Sequence, residues 1–150
     1  MFEHRVVSPF GPLTVLASDI GINALEWRAG RKDRTPILLR AMAQLESYFA
    51  GDQQEFDLPF DLHVSDFQQS VCAAMSEIPF GETRTYGDLA DRLGVPAQAV
   101  GQACGGNPVA ILIPCHRVLG ATSLGGYSGA GGIETKVALL KHEGAAGLLI

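Results

Sequence analysis

The chain has 150 residues, 47% of them hydrophobic and 18% charged, and a net charge of −5 at neutral pH. That composition excludes a disordered or fibrous chain and fits one ordinary domain or two small lobes. Residues 1–62 carry nine acidic and six basic side chains and residues 63–150 seven and five, so neither half offers the broad basic field of a typical nucleic-acid binder, and any phosphate contact must rest on a few placed donors.

No segment approaches the roughly 18 consecutive apolar residues of a membrane span, and Met1-Phe2-Glu3-His4-Arg5 lacks a signal-peptide apolar core. Three cysteines (Cys72, Cys104 and Cys115) without paired spacing argue against a disulfide framework and for a reducing, cytoplasmic setting. A zinc site drawn from them and His116 would lack any C-x-x-C unit, so no metal is expected.

Val6 to Ala17 reads as strand, Pro/Gly turn, strand, and Asp19-Ile20-Gly21 turns into a third strand from Ile22 to Trp27. Thr35 then caps a helix with Pro36 at its first position and Leu38, Met42, Leu45 and Phe49 as its apolar stripe; Gly51 ends it. Asp52 to Leu62, polar and interrupted by Pro59, reads as a linker to a second lobe.

The second lobe opens with Ser65 capping a helix whose inward face is Phe67, Val71, Ala74, Met75 and Ile78. Pro79-Phe80-Gly81 breaks it, and Thr85-Tyr86-Gly87-Asp88 has the form of a capping box before Leu89 to Leu93. Gly94 stops that helix and Pro96 starts another, running to about Cys104, which makes a helix-turn-helix pattern. Ala97, Ala99, Gly101, Ala103, Gly105 and Gly106 leave this last helix nearly bare. A helical glycine costs about 1 kcal/mol relative to alanine, so close approach is implied, either to another helix or to a nucleic-acid backbone. Val109–Ile113 is apolar enough for a buried strand or core segment; Gly125 to Gly132 is a glycine-rich loop without a nucleotide-binding spacing, and a final helix spans Glu134 to Glu143 with Ile133, Val137 and Leu140 inward. His4, His63 and His142 read as surface or capping residues.

The run Ile113-Pro114-Cys115-His116-Arg117-Val118 sets a thiol at the end of an apolar stretch and an imidazole directly after it. The thiolate is the nucleophilic form of cysteine, and a neighbouring imidazole is among the few groups that promote it near neutral pH. The same pattern also fits a small core thiol, since free cysteines are usually buried.

Taken in order, Phe67-Gln68, Ile78-Pro79-Phe80-Gly81-Glu82, Thr85-Tyr86-Gly87-Asp88-Leu89-Ala90, Ala99-Val100-Gly101, Gly106-Asn107-Pro108, Pro114-Cys115-His116-Arg117-Val118, Gly126-Tyr127-Ser128-Gly129 and Lys136-(x)3-Leu140-(x)2-Glu143-Gly144 resemble the O6-alkylguanine-DNA alkyltransferases. The resemblance covers residues 63–147, and Ser8 to Leu13 looks like the family's first lobe. It implies a mixed α+β fold: a small ribonuclease-H-like lobe over residues 1–62, then a mostly helical DNA-binding and alkyl-acceptor lobe over 63–150 with a helix-turn-helix and a short buried strand before the thiol.

The implied activity is irreversible transfer of an alkyl group from guanine O6, or thymine O4, to Cys115 after the base is flipped out of the duplex. Cys115 would be the acceptor, His116 the base acting through a water, Glu143 its orienter, Tyr86 the proton donor to guanine N3, and Asn107 the tie across the turn. Val118, Tyr127 and Ser128 would hold the base; Gln98, Ala99, Gly101, Ala103, Gly105 and Arg117 would meet double-stranded DNA through its minor groove. The resemblance further implies a monomer that needs neither cofactor nor membrane.

The sequence departs from the family at Gln98, where an arginine usually fills the hole left by the flipped base, and at Gly105, often basic; weaker DNA binding and slower flipping follow, with the chemistry retained. Two rivals are a lesion-recognition protein that flips alkylated bases without transfer, whose members replace the reactive cysteine, and a cysteine hydrolase, which would draw its nucleophile and base from distant sequence positions.

Overall fold

The computed structural model describes residues 1–145, which divide into two compact units, Met1–His63 and Val64 onward. In the first unit, β1 (Phe2–Ser8), β2 (Gly11–Ala17) and β3 (Ile22–Glu26) form an antiparallel sheet in the order β1-β2-β3. The β1–β2 turn is closed by the Ser8 hydroxyl, which donates to the Gly11 carbonyl at 2.6 Å and accepts from Phe10 N at 3.1 Å. Helix α1 (Pro36–Phe49) begins where the Thr35 hydroxyl accepts from Leu38 N at 3.3 Å, and it packs on β1 and β2. Its buried stripe is Leu38, Ala41, Met42, Leu45 and Tyr48. Phe49 was expected in that stripe, but the 3.6-residue turn brings Tyr48 under the core, and Phe49 lies half-buried, edge-on to Phe10 with centroids 6.0 Å apart.

The segment expected to be a linker is stitched to this sheet. Ile22 N donates to the Pro59 carbonyl and Asp61 N to the Ile22 carbonyl, both at 2.8 Å. Gly21 makes this approach possible, since a Cβ there would lie 2.6 Å from the Phe60 carbonyl carbon. Backbone hydrogen bonding to the exposed edge of β3 outweighs the polar, Pro-interrupted composition that suggested a free connector.

The second unit contains α2 (Asp66–Ser76), β4 (Arg84–Thr85), α3 (Tyr86–Leu93), α4 (Ala97–Gly105), a 3-10 turn at Cys115–Arg117, β5 (Val118–Leu119) and α5 (Ile133–His142). Ser65 caps α2, and Thr85 with Asp88 makes a complete capping box on α3, with bonds of 3.0 and 2.9 Å. Gly94, at φ +68°, ends α3 in the left-handed conformation that glycine adopts without strain, and α4 then packs against α3.

Three expectations need correction in this unit. Phe67 is exposed, because Gln68 takes the inward position at the first turn of α2 and donates to the Ala103 carbonyl at 2.8 Å. Val109–Ile113 is buried but is a coil of tight turns, with Ile113 N donating to the Val109 carbonyl and Ile111 at φ +72°, so no strand leads into the thiol. The strand lies after it: β5 runs parallel to β4, pairing Val118 with Arg84. On α5 the inward residues are Thr135, Lys136, Leu139 and Leu140, while Ile133 is exposed and Val137 half-buried. On this face the Lys136 ammonium finds backbone carbonyl partners inside.

Candidate active site

Asn107 shapes the turn that presents the thiol. Its side-chain amide donates to the Ile113 carbonyl at 2.9 Å, and its oxygen accepts from Val109 N at 3.0 Å, so one side chain closes the whole Val109–Ile113 coil. Cys115 follows, its amide bonded to the Ile113 carbonyl at 2.8 Å, and the 3-10 turn is completed where Val118 N donates to the Cys115 carbonyl.

The two residues after Cys115 enter a buried charged cluster. His116 Nε2 donates to Glu143 Oε2 at 2.8 Å, with both side chains fully buried. Arg117 forks onto the same carboxylate, Nε to Oε1 at 2.8 Å and Nη2 to Oε2 at 2.9 Å, and Nη1 reaches the Ile78 carbonyl at 2.7 Å. An ionised carboxylate only accepts hydrogen bonds, so His116 must carry its proton on Nε2. That leaves Nδ1 with a lone pair, and among the described residues this buried nitrogen has no hydrogen-bond partner. Burial lowers the imidazole pKa and Glu143 opposes the shift, so the ring is neutral at neutral pH.

Arg117 therefore does not reach DNA as expected: it is buried and its guanidinium is committed to Glu143 and Ile78. A buried carboxylate needs a charge partner, and Arg117 supplies it.

Cys115 forms part of the wall of a cavity of about 290 Å³, together with Tyr86, Gly101, Cys104, Gly105, Gly126, Tyr127 and Ser128. This volume is near the lower end of small-molecule pockets, about 300 Å³. Burial raises the Cys115 pKa, while the Asn107 side chain and the Lys136 ammonium pull it down. Cys104, in the same wall, is pushed up to about 12 by burial and then by Cys115, and its thiol donates to Met75 Sδ at 3.6 Å. Of the two cavity thiols, only Cys115 has a hydrogen-bonding side chain that favours its anion. Tyr86, the first residue of α3, is half-buried; burial raises its phenol and the Gly126 backbone opposes this. Gly125 must lack a side chain here, since a Cβ would fall 2.5 Å from the Tyr86 hydroxyl.

The structure thus brings Tyr86, Gly101, Gly105, Cys115, Tyr127 and Ser128 to one cavity; Asn107 supports the thiol from within the fold, and His116 and Glu143 pair with each other in the interior. Val118 is buried, and its carbonyl accepts from Lys136 Nζ at 2.7 Å, which leaves a second lone pair. On α4, Gln98 is exposed and Ala99 half-buried. Ala103, expected at the DNA face, is buried against α2 instead, because the inward face of α4 is Val100, Ala103 and Cys104.

Three residues have places in the site that the sequence alone did not assign to them. Cys104 lies one turn from Gly101 and so shares its side of α4. Gln102 is exposed one turn after Gln98. Lys136 is fully buried, and its ammonium spans the Val118 carbonyl at 2.7 Å and the Gly126 carbonyl at 3.0 Å, tying the segment after Cys115 to the glycine loop. Its position four residues before Leu140 marks it as inward-facing. Among the described residues no group of three or more His, Cys, Asp and Glu side chains is placed to hold a metal, and no helix is long and apolar enough to cross a membrane.

Comparison with known proteins covers both units. Residues 66–145 match the family model of the 6-O-methylguanine DNA methyltransferase DNA-binding domain, and residues 1–62 match that of its ribonuclease-like domain. The methylated-DNA–protein-cysteine methyltransferase of Mycobacterium tuberculosis H37Rv is 45% identical over 155 residues, spanning 95% of this chain and 93% of that protein. That of Methanosarcina acetivorans is 41% identical, spanning 97% and 99%. The crystal structure of Mycobacterium tuberculosis OGT in complex with DNA superposes with a TM-score of 0.82 at 43% identity, covering 95% of this chain and 92% of that one. With both units matched and the relatives aligned over nearly their whole length, the chain belongs to the 6-O-methylguanine DNA methyltransferase family.

Proposed function

We propose that the protein repairs O6-alkylguanine in DNA by a single, irreversible transfer of the alkyl group to Cys115. The observation that carries this reading is a cavity-wall thiol followed in the chain by a fully buried imidazole whose Nε2 is fixed on Glu143 and whose Nδ1 has no hydrogen-bond partner among the described residues. A protein that only recognised alkylated bases would need neither the thiol nor a base behind it.

The thiol is protonated at rest, so its proton must leave as the new bond forms. His116 Nδ1 receives it through a water, and Glu143 stabilises the imidazolium that results. The Cys115 sulfur attacks the alkyl carbon, the C–S bond forms, the carbon–O6 bond breaks, and its electron pair stays on guanine. Tyr86 at the cavity wall donates a proton toward guanine N3, and the proton lost by the thiol finally balances the one gained by guanine. Ser128 donates to O6, the carbonyls of Cys115 and Val118 accept from the guanine amino group, and Tyr127 walls the ring. A thioether is stable to water, so each chain acts once.

A guanine stacked in a duplex cannot enter this cavity, and the base must be flipped out. Gly101 and Gly105 of α4 border the cavity, and a Cβ added at either would meet nothing within 4 Å, so the bare outer side of α4 can approach the minor groove closely. Gln98 stands where the orphaned base would need a partner. O4-alkylthymine would react by the same displacement, its alkyl carbon passing to the sulfur. The three cysteines are free thiols, which suits a reducing cytoplasm, and the chemistry needs one chain without a cofactor.

Stoichiometry tests the single-use reading. With duplex in excess, repaired guanine should plateau at one per chain; continued turnover would contradict it.

A further inference from the structure

Helix α4 reads AQAVGQACG from Ala97 to Gly105 and holds no charged residue. Val100, Ala103 and Cys104 face inward, so at 3.6 residues per turn Gln98 and Gln102 fall together on the outer ridge, and both are exposed. Gly101 and Gly105, beside that ridge, border the Cys115 cavity. A base entering the cavity passes these two glycines, which sets the Gln98–Gln102 ridge against the groove that the base has left.

We infer that Gln102 reads the base pair flanking the lesion, so that the rate of repair depends on neighbouring sequence. The inference rests on the transferase reading above and on Gln98 standing at the vacated position. Four residues of α-helix advance about 6 Å along the axis, and base pairs in a duplex are about 3.4 Å apart, so Gln102 falls one to two pairs from Gln98. Phosphate contacts carry no sequence information, whereas an amide on a base edge does. In the minor groove an A·T pair offers acceptors only, and a G·C pair adds the guanine amino donor. A glutamine amide both donates and accepts. Gln102 can therefore engage a G·C pair in both directions and an A·T pair in one.

The test compares transfer rates, at protein concentrations below saturation, from duplexes that differ only in the pairs flanking O6-methylguanine. The natural protein should react about five- to tenfold faster with G·C than with A·T at one flanking position. Gln102→Ala should bring that ratio below about twofold while keeping its melting temperature, since the side chain is exposed. Equal rates on all duplexes for the natural protein, or the same preference in the variant, would overturn the inference while leaving the transferase reading standing. No transfer from any duplex would overturn both.

Discussion

His116 Nε2 and Glu143 Oε2 lie 2.8 Å apart with neither side chain exposed to solvent, and this one bond fixes which imidazole nitrogen can act as a base. Arg117 shares the carboxylate, so the cluster holds one positive and one negative charge around a neutral ring. Glu143→Gln would strand the Arg117 charge. We expect a stability loss of about 3–5 kcal/mol in denaturant unfolding, and a change below about 1 kcal/mol would mean that the cluster is solvated like a surface pair.

Removing the base itself should leave the cavity intact and slow the chemistry. His116→Gln is expected to lower the transfer rate by about 10²–10⁴-fold, measured in single-turnover quench on O6-methylguanine duplex. A variant rate within twofold of the natural one would place the proton elsewhere.

The pH dependence has a definite sign. Burial holds the His116 pKa below its ordinary value of 6.5, so the ring stays neutral and competent as the pH falls through 6.5. The rate should fall only at lower pH, and a limb with its midpoint above 6.5 would contradict the assignment. Stability follows the same linkage. The unfolded ring protonates first, so the contribution is fully present above 6.5 and is lost as pH falls from there toward the lower folded value.

Lys136 bridges Val118 and Gly126 and lends positive charge to Cys115. Lys136→Met keeps the stem and removes the ammonium, leaving two carbonyls without a donor. We expect a loss of about 1–3 kcal/mol in stability and a Cys115 pKa displaced upward, read from the pH dependence of alkylation by iodoacetamide. An unchanged alkylation profile would show that the ammonium acts only on the backbone.

Of the five basic residues in positions 63–150, Arg117 and Lys136 are buried, which leaves Arg84, Arg92 and Lys141 to meet phosphate. Arg84 and Arg92 are already paired with Glu82 and Glu77. The slope of log K against log salt for duplex binding should therefore be no steeper than about −3. Gln98→Arg should tighten binding and steepen the slope by about 1; unchanged affinity would mean that Gln98 does not face DNA.

Much of this site was legible in the sequence because short-range rules set it. The Thr85–Asp88 capping box, the Gly94 stop and the Cys115-His116 adjacency are local features, and each appears where its residues predict. Long-range partners were not legible. Arg117 looks like a surface cation until Glu143, 26 residues away, is seen beside it. Lys136 looks solvated until two carbonyls from separate segments are found at its ammonium. Val109–Ile113 has strand composition, yet the Asn107 side chain satisfies the backbone groups at both ends of the coil and bends it back. The parallel pairing of Arg84 with Val118 joins segments too short to show any periodicity.

The most direct measurement is the intact mass of the protein before and after incubation with duplex carrying O6-methylguanine, with the modified residue located by peptide mapping and Cys115→Ser as control. We expect a gain of one methyl group, mapped to Cys115 and absent from the control. Tight binding of that duplex without any mass gain, or a methyl group found on Cys104 or Cys72, would contradict the assignment of Cys115 as the acceptor.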